Sequence, residues 1–547
     1  MAQTRSWIEK AADQVLRHAR ASQAEADPIV CASGISPSGP IHLGNLREVM
    51  TVHLVAEELR QRGEQVEHIH SWDDFDRLRK VPAGVPSAFS DHIGRPLAEI
   101  PDPAGEFPSY ADRFIAELDA ELRDLKVSMR SIRQARAYRA GTYREAVKQA
   151  MSKRVAIFDI LAAHQTAGRH QESLEQRRLG YYPFQVYCHA CNRDSTTIRS
   201  YAEASATVDY TCTTCGHQAS FSLDQETPGK LVWKVDWPMR WRFEQVTFEP
   251  GGEDHATEGS SYTVGKDIVR DVFGGTAPCF LQYAFVGIAG SAKISSSAGT
   301  SATPAAALRV LEPAMLRWLY VRRDARQQFT IDLGPGVVRL YDEWDRLVAQ
   351  GAAGTISAKQ AWIHRATTRT SVGDLLRGTD PVSFRLLSSA ADIADGDVTQ
   401  ICRIVGEHTP RTGVTAKSLE PRLSCALHWL EDQVPAEERT IVRQAFHQEA
   451  WDALAEEEQR SVSRLVELFQ ASWGLDELTR LVYGVPKESL GRDLDAPPDD
   501  DTKLAQRSFF KTVYTLLIGK ETGPRLPTLL LSMGQARATA LLTGPPA

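Results

Sequence analysis

The chain has 547 residues, 42% of them hydrophobic and 24% charged, with a formal net charge of −7. That length corresponds to roughly two to four domains, and the composition is that of a folded globular protein, which excludes disordered and collagen-like classes. The acidic balance excludes a protein that coats nucleic acid over its whole surface, although it leaves room for a local basic face. No apolar run approaches membrane-spanning length, and Met1 to Lys10 lacks the apolar centre of a secretory signal, so no membrane partner is expected.

Arg5 to Gln23 reads as a leading helix. Pro28 to Ala32 is an apolar run and reads as a buried strand; Leu46, Val49, Met50, His53 and Leu54 have helical spacing. Between them lies the small-residue turn Ser33 to Asn45, which carries His42 just ahead of Gly44. Glycines, free amides and a helix dipole at such a turn favour a bound phosphate. Gln65 to Trp72 reads as a second strand ending in Asp73-Asp74-Phe75-Asp76. Strand, helix, strand in this order predicts a βαβ unit and a parallel sheet, with the carboxylates where open α/β sheets bind ligands. The bland alternative is a solvated acidic turn. Val81 to Pro108 is rich in Pro and Gly and is expected to be irregular. Tyr110 to Leu125 reads as a helix with Phe114, Ile115, Leu118 and Leu122 inward, Val127 to Ile132 as a strand, Tyr138 to His164 as a helix, and Gln165 to Gly180 as a loop.

Four of the eight cysteines are clustered in two C-x-x-C knuckles, Cys188 with Cys191 and Cys212 with Cys215, with 20 residues between them. This spacing fits a four-cysteine zinc ribbon that holds together a small subdomain lacking its own core. The alternatives are a site that has lost its metal and a redox-active dithiol. The other four cysteines are scattered, so a reduced, cytoplasmic protein is expected rather than a disulfide scaffold.

Leu231 to Trp241 reads as an apolar strand carrying three tryptophans beside Asp236 and Arg240. Phe248 to His255 reads as a strand end opening into a Gly-rich polar turn, before a helical segment that includes Ile268, Val269, Val272 and Phe273. Cys279 to Ala289 reads as a further apolar strand running into the Gly/Ser loop Gly290 to Gly299, where Lys293 is the one cation. Behind a buried strand, such a loop reads as a mobile phosphate clamp. From Thr303-Pro304 onward the chain reads as mostly helical, with loops at Gly351 to Thr355 and at the acidic Ala496 to Asp501.

Together these motifs carry a family resemblance. Pro37 to Asn45 is similar to the "HIGH" motif of class I aminoacyl-tRNA synthetases, and Lys293-Ile294-Ser295-Ser296-Ser297 is similar to their "KMSKS" loop. Ser33 to Gly39, Trp72 to Pro82, Val235 to Trp241, Asp254-His255, the knuckles and the run Phe510 to Leu526 resemble the class I lysyl-tRNA synthetases of archaea and some bacteria. The likeness covers nearly the whole chain. Asn45 replaces the second His of the general first motif, as is usual in the lysyl type. Ser296 replaces the second Lys of the general loop, Ala298 stands where the lysyl type often has Lys, and Ser36 stands where Thr is common.

The resemblance implies an α/β fold: a Rossmann-type parallel-sheet catalytic domain with a zinc-binding insertion, followed by an all-α anticodon-binding domain. The implied domains are 1–80 and 231–300 for the two catalytic halves and 81–230 for the insertion, with the zinc subdomain at about 185–220. A helical stem-contact linker at 301–340 and the anticodon domain at 341–547 complete them. The implied activity is ligation of L-lysine to the 3′ adenosine of tRNA(Lys) through lysyl-adenylate. ATP is a substrate, Mg²⁺ travels with it, Zn²⁺ is structural, and the protein is expected to be a cytoplasmic monomer. The implied roles are His42 and Lys293 in catalysis, and Pro37, Pro40, His42, Gly44, Asn45, Lys293, Ser295 and Ser296 around ATP. Gly34, Ser36, Trp237, Asp254 and His255 would surround lysine, and Arg365, Arg369, Arg403 and Arg411 would meet tRNA phosphates. Two other readings remain open on the same residues: a paralogue that adenylates an amino acid for a non-tRNA acceptor, and a non-catalytic tRNA-binding protein.

Overall fold

The computed structural model describes residues 5–21, 28–81, 85–164, 173–257, 259–289, 303–375, 381–411, 413–469 and 473–543. The chain forms two compact units. One contains residues 1–308, 313–332 and 350–377, and the other contains 309–312, 333–349 and 378–547.

The first unit begins with α1 (Trp7–Ala21), β1 (Ile29–Ile35), α2 (Leu43–Gln61), β2 (Val66–Trp72), α3 (Tyr110–Asp124) and β3 (Arg130–Arg133). An insertion follows: α4 (Gln134–Arg139), α5 (Arg144–Ser152), α6 (Arg154–Ala163), α7 (Leu174–Gly180), β4 (Phe184–Val186), β5 (Thr196–Ala202), β6 (Thr207–Cys212), β7 (Gln218–Ser222) and β8 (Gly229–Leu231). Then come α8 (Trp233–Phe243), β9 (Val246–Gly252), α9 (Ser261–Asp271), β10 (Cys279–Tyr283), β11 (Val286–Ile288) and β12 (Phe329–Ile331).

The central sheet has the order β3-β2-β1-β9-β10, and every pairing is parallel. This is the doubly wound topology. The order reverses between β1 and β9, and ligands of such sheets bind in the crevice beyond the carboxyl ends of those two strands. Leu46, Val49, Met50, His53 and Leu54 are all buried on α2. That helix is buried on most of its sides, and Arg47, Thr51, His53 and Glu57 are buried along with its apolar residues. The insertion packs α4, α5, α6, β4 and β8 around one apolar cluster, which the antiparallel sheet of β5, β6 and β7 joins through Val208, Tyr210 and Phe221.

Several expectations change. Ser33, Gly34 and Ile35 belong to β1 rather than to the turn that follows it. Leu231 to Trp241 is not a strand: only Gly229–Leu231 is extended, and Trp233–Phe243 is helical. Trp233, Trp237 and Trp241 stand four apart and so share one helix face, and Trp237 and Trp241 pack on Val30, Ala32, Ile69 and Val246 of the sheet. The long helix expected over Tyr138 to His164 is broken, because Gly141 turns left-handed at φ +73° after α4. The strand expected over Cys279 to Ala289 is split, and β11 leaves the main sheet to pair with β12. Part of the loop expected over Gln165 to Gly180 is α7, capped by Ser173 and Gln176.

The second unit is helical, with one apolar cluster built from the helices Glu456–Leu468, Leu475–Glu488, Asp500–Ile518, Leu526–Met533 and Gln535–Thr543. Of the loop expected over Ala496 to Asp501, residues 496–499 are irregular and the helix begins at Asp500: Asp499 accepts the Thr502 amide at 2.9 Å. Buried Arg422 ties Glu312 at 2.7 Å to Asp345 at 2.8 Å. Among the described residues, no helix is long and apolar enough to cross a membrane.

Candidate active site

β1 enters the crevice braced from behind. The Ser33 hydroxyl lies 2.7 Å from His70 Nδ1 and 3.1 Å from His68 Nε2, both on β2 and both buried. Burial pushes His70 down to about 3, so the imidazole behind the strand stays neutral. On the crevice side, the Gly34 amide donates to Glu48 Oε1 of α2 at 2.6 Å, and the Tyr283 hydroxyl at the end of β10 donates to Glu48 Oε2 at 2.8 Å. One carboxylate therefore links the ends of β1 and β10 to the second turn of α2. Burial, with help from nearby Glu249 and Asp73, raises Glu48 to about 8.

His42 is the N-cap of α2. Its Nδ1 accepts the Asn45 amide at 3.2 Å, and Asn45 Oδ1 accepts the His42 amide at 3.3 Å. Because Nδ1 is an acceptor, the proton of the neutral ring sits on Nε2, which is left as a donor. Burial holds His42 below its ordinary value and favours that neutral form. Gly44 makes this cap possible: a Cβ there would lie 2.8 Å from His42 Nδ1. Pro37 is buried, Pro40 and Ser36 are half-buried, and the Tyr110 hydroxyl donates to the Ser38 carbonyl at 3.1 Å.

The far wall comes from α8 and β9. Trp233 stacks on Trp237 with centroids 5.2 Å apart, Trp237 meets Trp241 at 4.9 Å, and the His255 ring lies 5.4 Å from Trp237. The Trp241 indole donates to Glu249 Oε2 of β9 at 2.7 Å, and burial raises Glu249 to about 7. Asp254 is largely exposed and lies 3.9 Å from His255. Gly252 lets it fold back toward the crevice, since a Cβ there would sit 2.5 Å from Asp254 Oδ1 and 3.8 Å from the Tyr283 ring. Gly34, Trp237, Asp254 and His255 are therefore linked through Glu48, Tyr283 and the tryptophan row. Lys293, Ser295 and Ser296 lie outside the described residues.

The acidic turn after β2 is not a solvated loop. Asp73 pairs with Arg240 at 2.9 Å, Asp74 with Arg133 at 2.6 Å and Asp76 with Lys230 at 2.6 Å. Arg240 also meets Asp236 at 3.0 Å, and Tyr138 donates to that same carboxylate. These ions form a paired floor under the crevice, since burying a charge without a partner is costly.

A parallel sheet with a binding crevice at its switch point occurs in many nucleotide-binding proteins, and sequence comparison separates them. A profile described as tRNA synthetases class I (K) matches residues 5–370. The chain belongs to the class I tRNA synthetases of the lysyl type. It is 44% identical over 571 residues to a lysine–tRNA ligase of Streptomyces coelicolor, covering 99% of this chain and 98% of that one. It is 31% identical over 541 residues to that of Pyrococcus horikoshii (97% and 98% covered) and 30% identical over 556 residues to that of Treponema pallidum (98% of each). For this synthetase family ATP is a substrate, and tRNA is a partner.

In this synthetase the four knuckle cysteines converge. Their ligand atoms all lie within 4.8 Å of one another, and Cys188–Cys215 and Cys191–Cys212 are each separated by 3.7 Å between sulfurs. Four thiolates placed tetrahedrally at about 2.3 Å from a zinc ion would be about 3.8 Å apart, so the set fits that metal. Each knuckle ends on a left-handed residue just after its second cysteine, Asn192 at φ +56° and Gly216 at φ +73°.

Sequence reading missed Glu48, Glu249 and Tyr283. A signal existed for one of them: Glu249 is the single carboxylate of β9, a strand buried along its whole length. Of the arginines expected to meet tRNA, Arg365 and Arg369 are exposed in the first unit, and Arg403 in the second donates to the Leu531 and Ser532 carbonyls at 3.0 and 3.2 Å.

Proposed function

We propose that this synthetase joins L-lysine to tRNA(Lys) in the crevice beyond β1 and β9. The lysine carboxylate attacks the α-phosphorus of ATP, the bond to the β-phosphate oxygen breaks, and pyrophosphate leaves. A hydroxyl of the terminal adenosine then attacks the carbonyl carbon, AMP departs, and the hydroxyl proton passes to the departing phosphate. The chain supplies position and charge rather than a nucleophile.

The single observation that carries the reading is the convergence of two chemistries on one crevice. On the α2 side, His42 offers an Nε2–H to a phosphate oxygen at a helix N-terminus, with Gly44, Asn45, Pro37 and Pro40 shaping the floor. On the β9 side, Gly34, Ser36, Trp237, Asp254, His255 and Tyr283 surround the amino acid, and Glu48 and Glu249 face its ammonium groups. Lys293, Ser295 and Ser296 follow β11 in sequence and would neutralise the pyrophosphate as it leaves. Mg²⁺ bound to ATP supplies further charge neutralisation there. Cys188, Cys191, Cys212 and Cys215 hold a structural zinc ion, and their reduced thiols suit a cytoplasmic setting.

The test is lysine-dependent ATP–pyrophosphate exchange in the presence of tRNA, run against all twenty amino acids, followed by charging of tRNA(Lys). Exchange and charging specific to lysine are expected. Exchange without charging would point to a non-tRNA acceptor, and loss of both would leave a binding protein.

A further inference from the structure

α2 carries a buried cation that the proposed chemistry does not use. Arg47 is 1% exposed and meets no carboxylate among the described residues. Its Nε and Nη1 have no hydrogen-bond partner there, and burial holds the guanidinium below its ordinary value. Sequestering a lone charge is unfavourable, and an apolar side chain of similar volume would fill the same space more favourably. The guanidinium therefore gives the chain something other than stability.

What Arg47 holds is the turn before β12. Its Nη2 donates to two successive carbonyls, Asp324 at 2.9 Å and Ala325 at 2.7 Å. Its flat face lies over the Phe329 ring of β12, with the central carbon 5.1 Å from the centroid, a geometry that suits a guanidinium better than a compact ammonium. The Ala325 carbonyl also accepts the Ala284 amide at 2.9 Å, so both of its lone pairs are used. Glu48, the next residue of α2, accepts the Tyr283 hydroxyl. Two successive residues of α2 thus hold Tyr283 and Ala284, one directly and one through Ala325, where the chain leaves the main sheet.

The strand that starts at this junction runs past the His42 cap. β11 begins at Val286 and pairs with β12 through Ile288. A Cβ on Gly44 would lie 3.8 Å from the Val286 carbonyl, as well as against the His42 ring. The Ala289 amide then donates to the Ile331 carbonyl at 2.9 Å, which keeps the ladder in register to its end. The Tyr320 hydroxyl donates to the Leu43 carbonyl at 2.8 Å and ties the helix Pro313–Val321 to the same end of α2. Lys293 follows β11 in sequence.

We infer that Arg47 is a positioning residue for the adenylation step: it aligns β11 against the N-terminus of α2 and so sets, relative to the His42 cap, the point from which the segment bearing Lys293 starts. The inference rests on the proposed function, in which Lys293 neutralises the departing pyrophosphate. Arg47 itself is buried and acts through Ala325, Ala284 and β11.

The experiment is a double-mutant cycle on the full-length protein: wild type, Arg47→Met, Lys293→Ala and the double variant, each read by lysine-dependent ATP–pyrophosphate exchange and by thermal unfolding. Arg47→Met removes a lone buried charge, so its melting temperature should be unchanged or higher. Its kcat for exchange should fall by roughly 10- to 100-fold, the scale of a reacting group misplaced by about 1 Å, with KM for lysine nearly unchanged. With Lys293→Ala already present, the same substitution should change kcat by less than about twofold, because the group it aligns is gone. Phe329→Leu, at a half-buried position, removes the ring under the guanidinium and should give a smaller loss of the same kind; it takes the place of Arg47→Met in the cycle if that variant does not fold. A loss of equal size with and without Lys293, or a rise in KM for lysine in place of the fall in kcat, would overturn the assignment. If the wild type shows no lysine-dependent exchange, or Lys293→Ala leaves exchange intact, the proposed function fails first, and the assignment falls with it.

Discussion

The crevice and the cysteine knuckles solve the same problem, holding polar groups in fixed positions, by opposite means. In the knuckles, four side chains from two short turns converge around one point, and of the strands beside them β5 has no buried residue and β7 one, while β6 buries one face. In the crevice, the side chains come from α2, β2, α8, β9 and β10 and are held by a fully packed parallel sheet with paired ions beneath it. One assembly depends on a ligand it must capture; the other depends on topology. The two should therefore fail differently.

The largest effect should follow from Cys212→Ser or from removing the metal with a chelator. Metal ligation in small domains carries most of the folding energy, about 10–16 kcal/mol in isolated zinc peptides. Amide exchange should become fast over residues 196–222 while β1 and β2 stay protected. Simultaneous loss of protection in both would end the distinction between the two assemblies. Next in size is Arg240→Met, which leaves Asp73 and Asp236 buried without their shared cation. Breaking a buried pair in this way costs about 3–5 kcal/mol, readable as a shift in the urea midpoint. A shift below about 1 kcal/mol would mean that the floor is solvated.

Smaller, and confined to function, is Glu48→Gln. Loss of one charged contact, about 1.5–3 kcal/mol, should raise KM for lysine by about 10- to 100-fold and leave KM for ATP nearly unchanged. The pH dependence has a definite sign. Burial raises Glu48 to about 8 and Glu249 to about 7, so the empty crevice holds both partly protonated near neutrality. The stability this gives the free protein is complete below the ordinary glutamate value and is lost as pH rises through 7 to 8. A bound ammonium favours the ionised forms, so lysine affinity should rise from pH 6 to pH 8, with proton release visible in calorimetry. Glu48→Gln should flatten the upper part of that rise; an unchanged profile would remove Glu48 from the lysine pocket.

The same contrast explains what could be read from the chain alone. The first strand-helix-strand unit, the knuckles and the His42 turn each occupy a short stretch, where spacing and local chemistry carry the signal. Cys188 to Cys215 declares its geometry in its spacing, and His42 to Asn45 declares a helix cap. Glu48, Glu249 and Tyr283 meet only because β1, β9 and β10 are neighbours in the sheet, which no local pattern records. The misreading of Trp233 to Trp241 has a different cause. A dense apolar run invites a strand, but the four-residue spacing of its indoles, matched by that of Asp236 and Arg240, is helical.

The position of β1 has a consequence for synthesis. It lies at the centre of the sheet, yet β9, which completes one of its edges, follows it in the chain after the whole insertion. On a ribosome adding about 5–20 residues per second, β9 emerges roughly two hundred residues later, on the order of ten to forty seconds after β1. Through that interval the nascent chain can pair β1 with β2 on one side only. Its other edge, Ile29 to Ile35, is an apolar row of open amides and carbonyls, a template for pairing with a neighbouring nascent chain. The switch point that makes the crevice is thus also the seam whose first strand waits longest for its partner during translation.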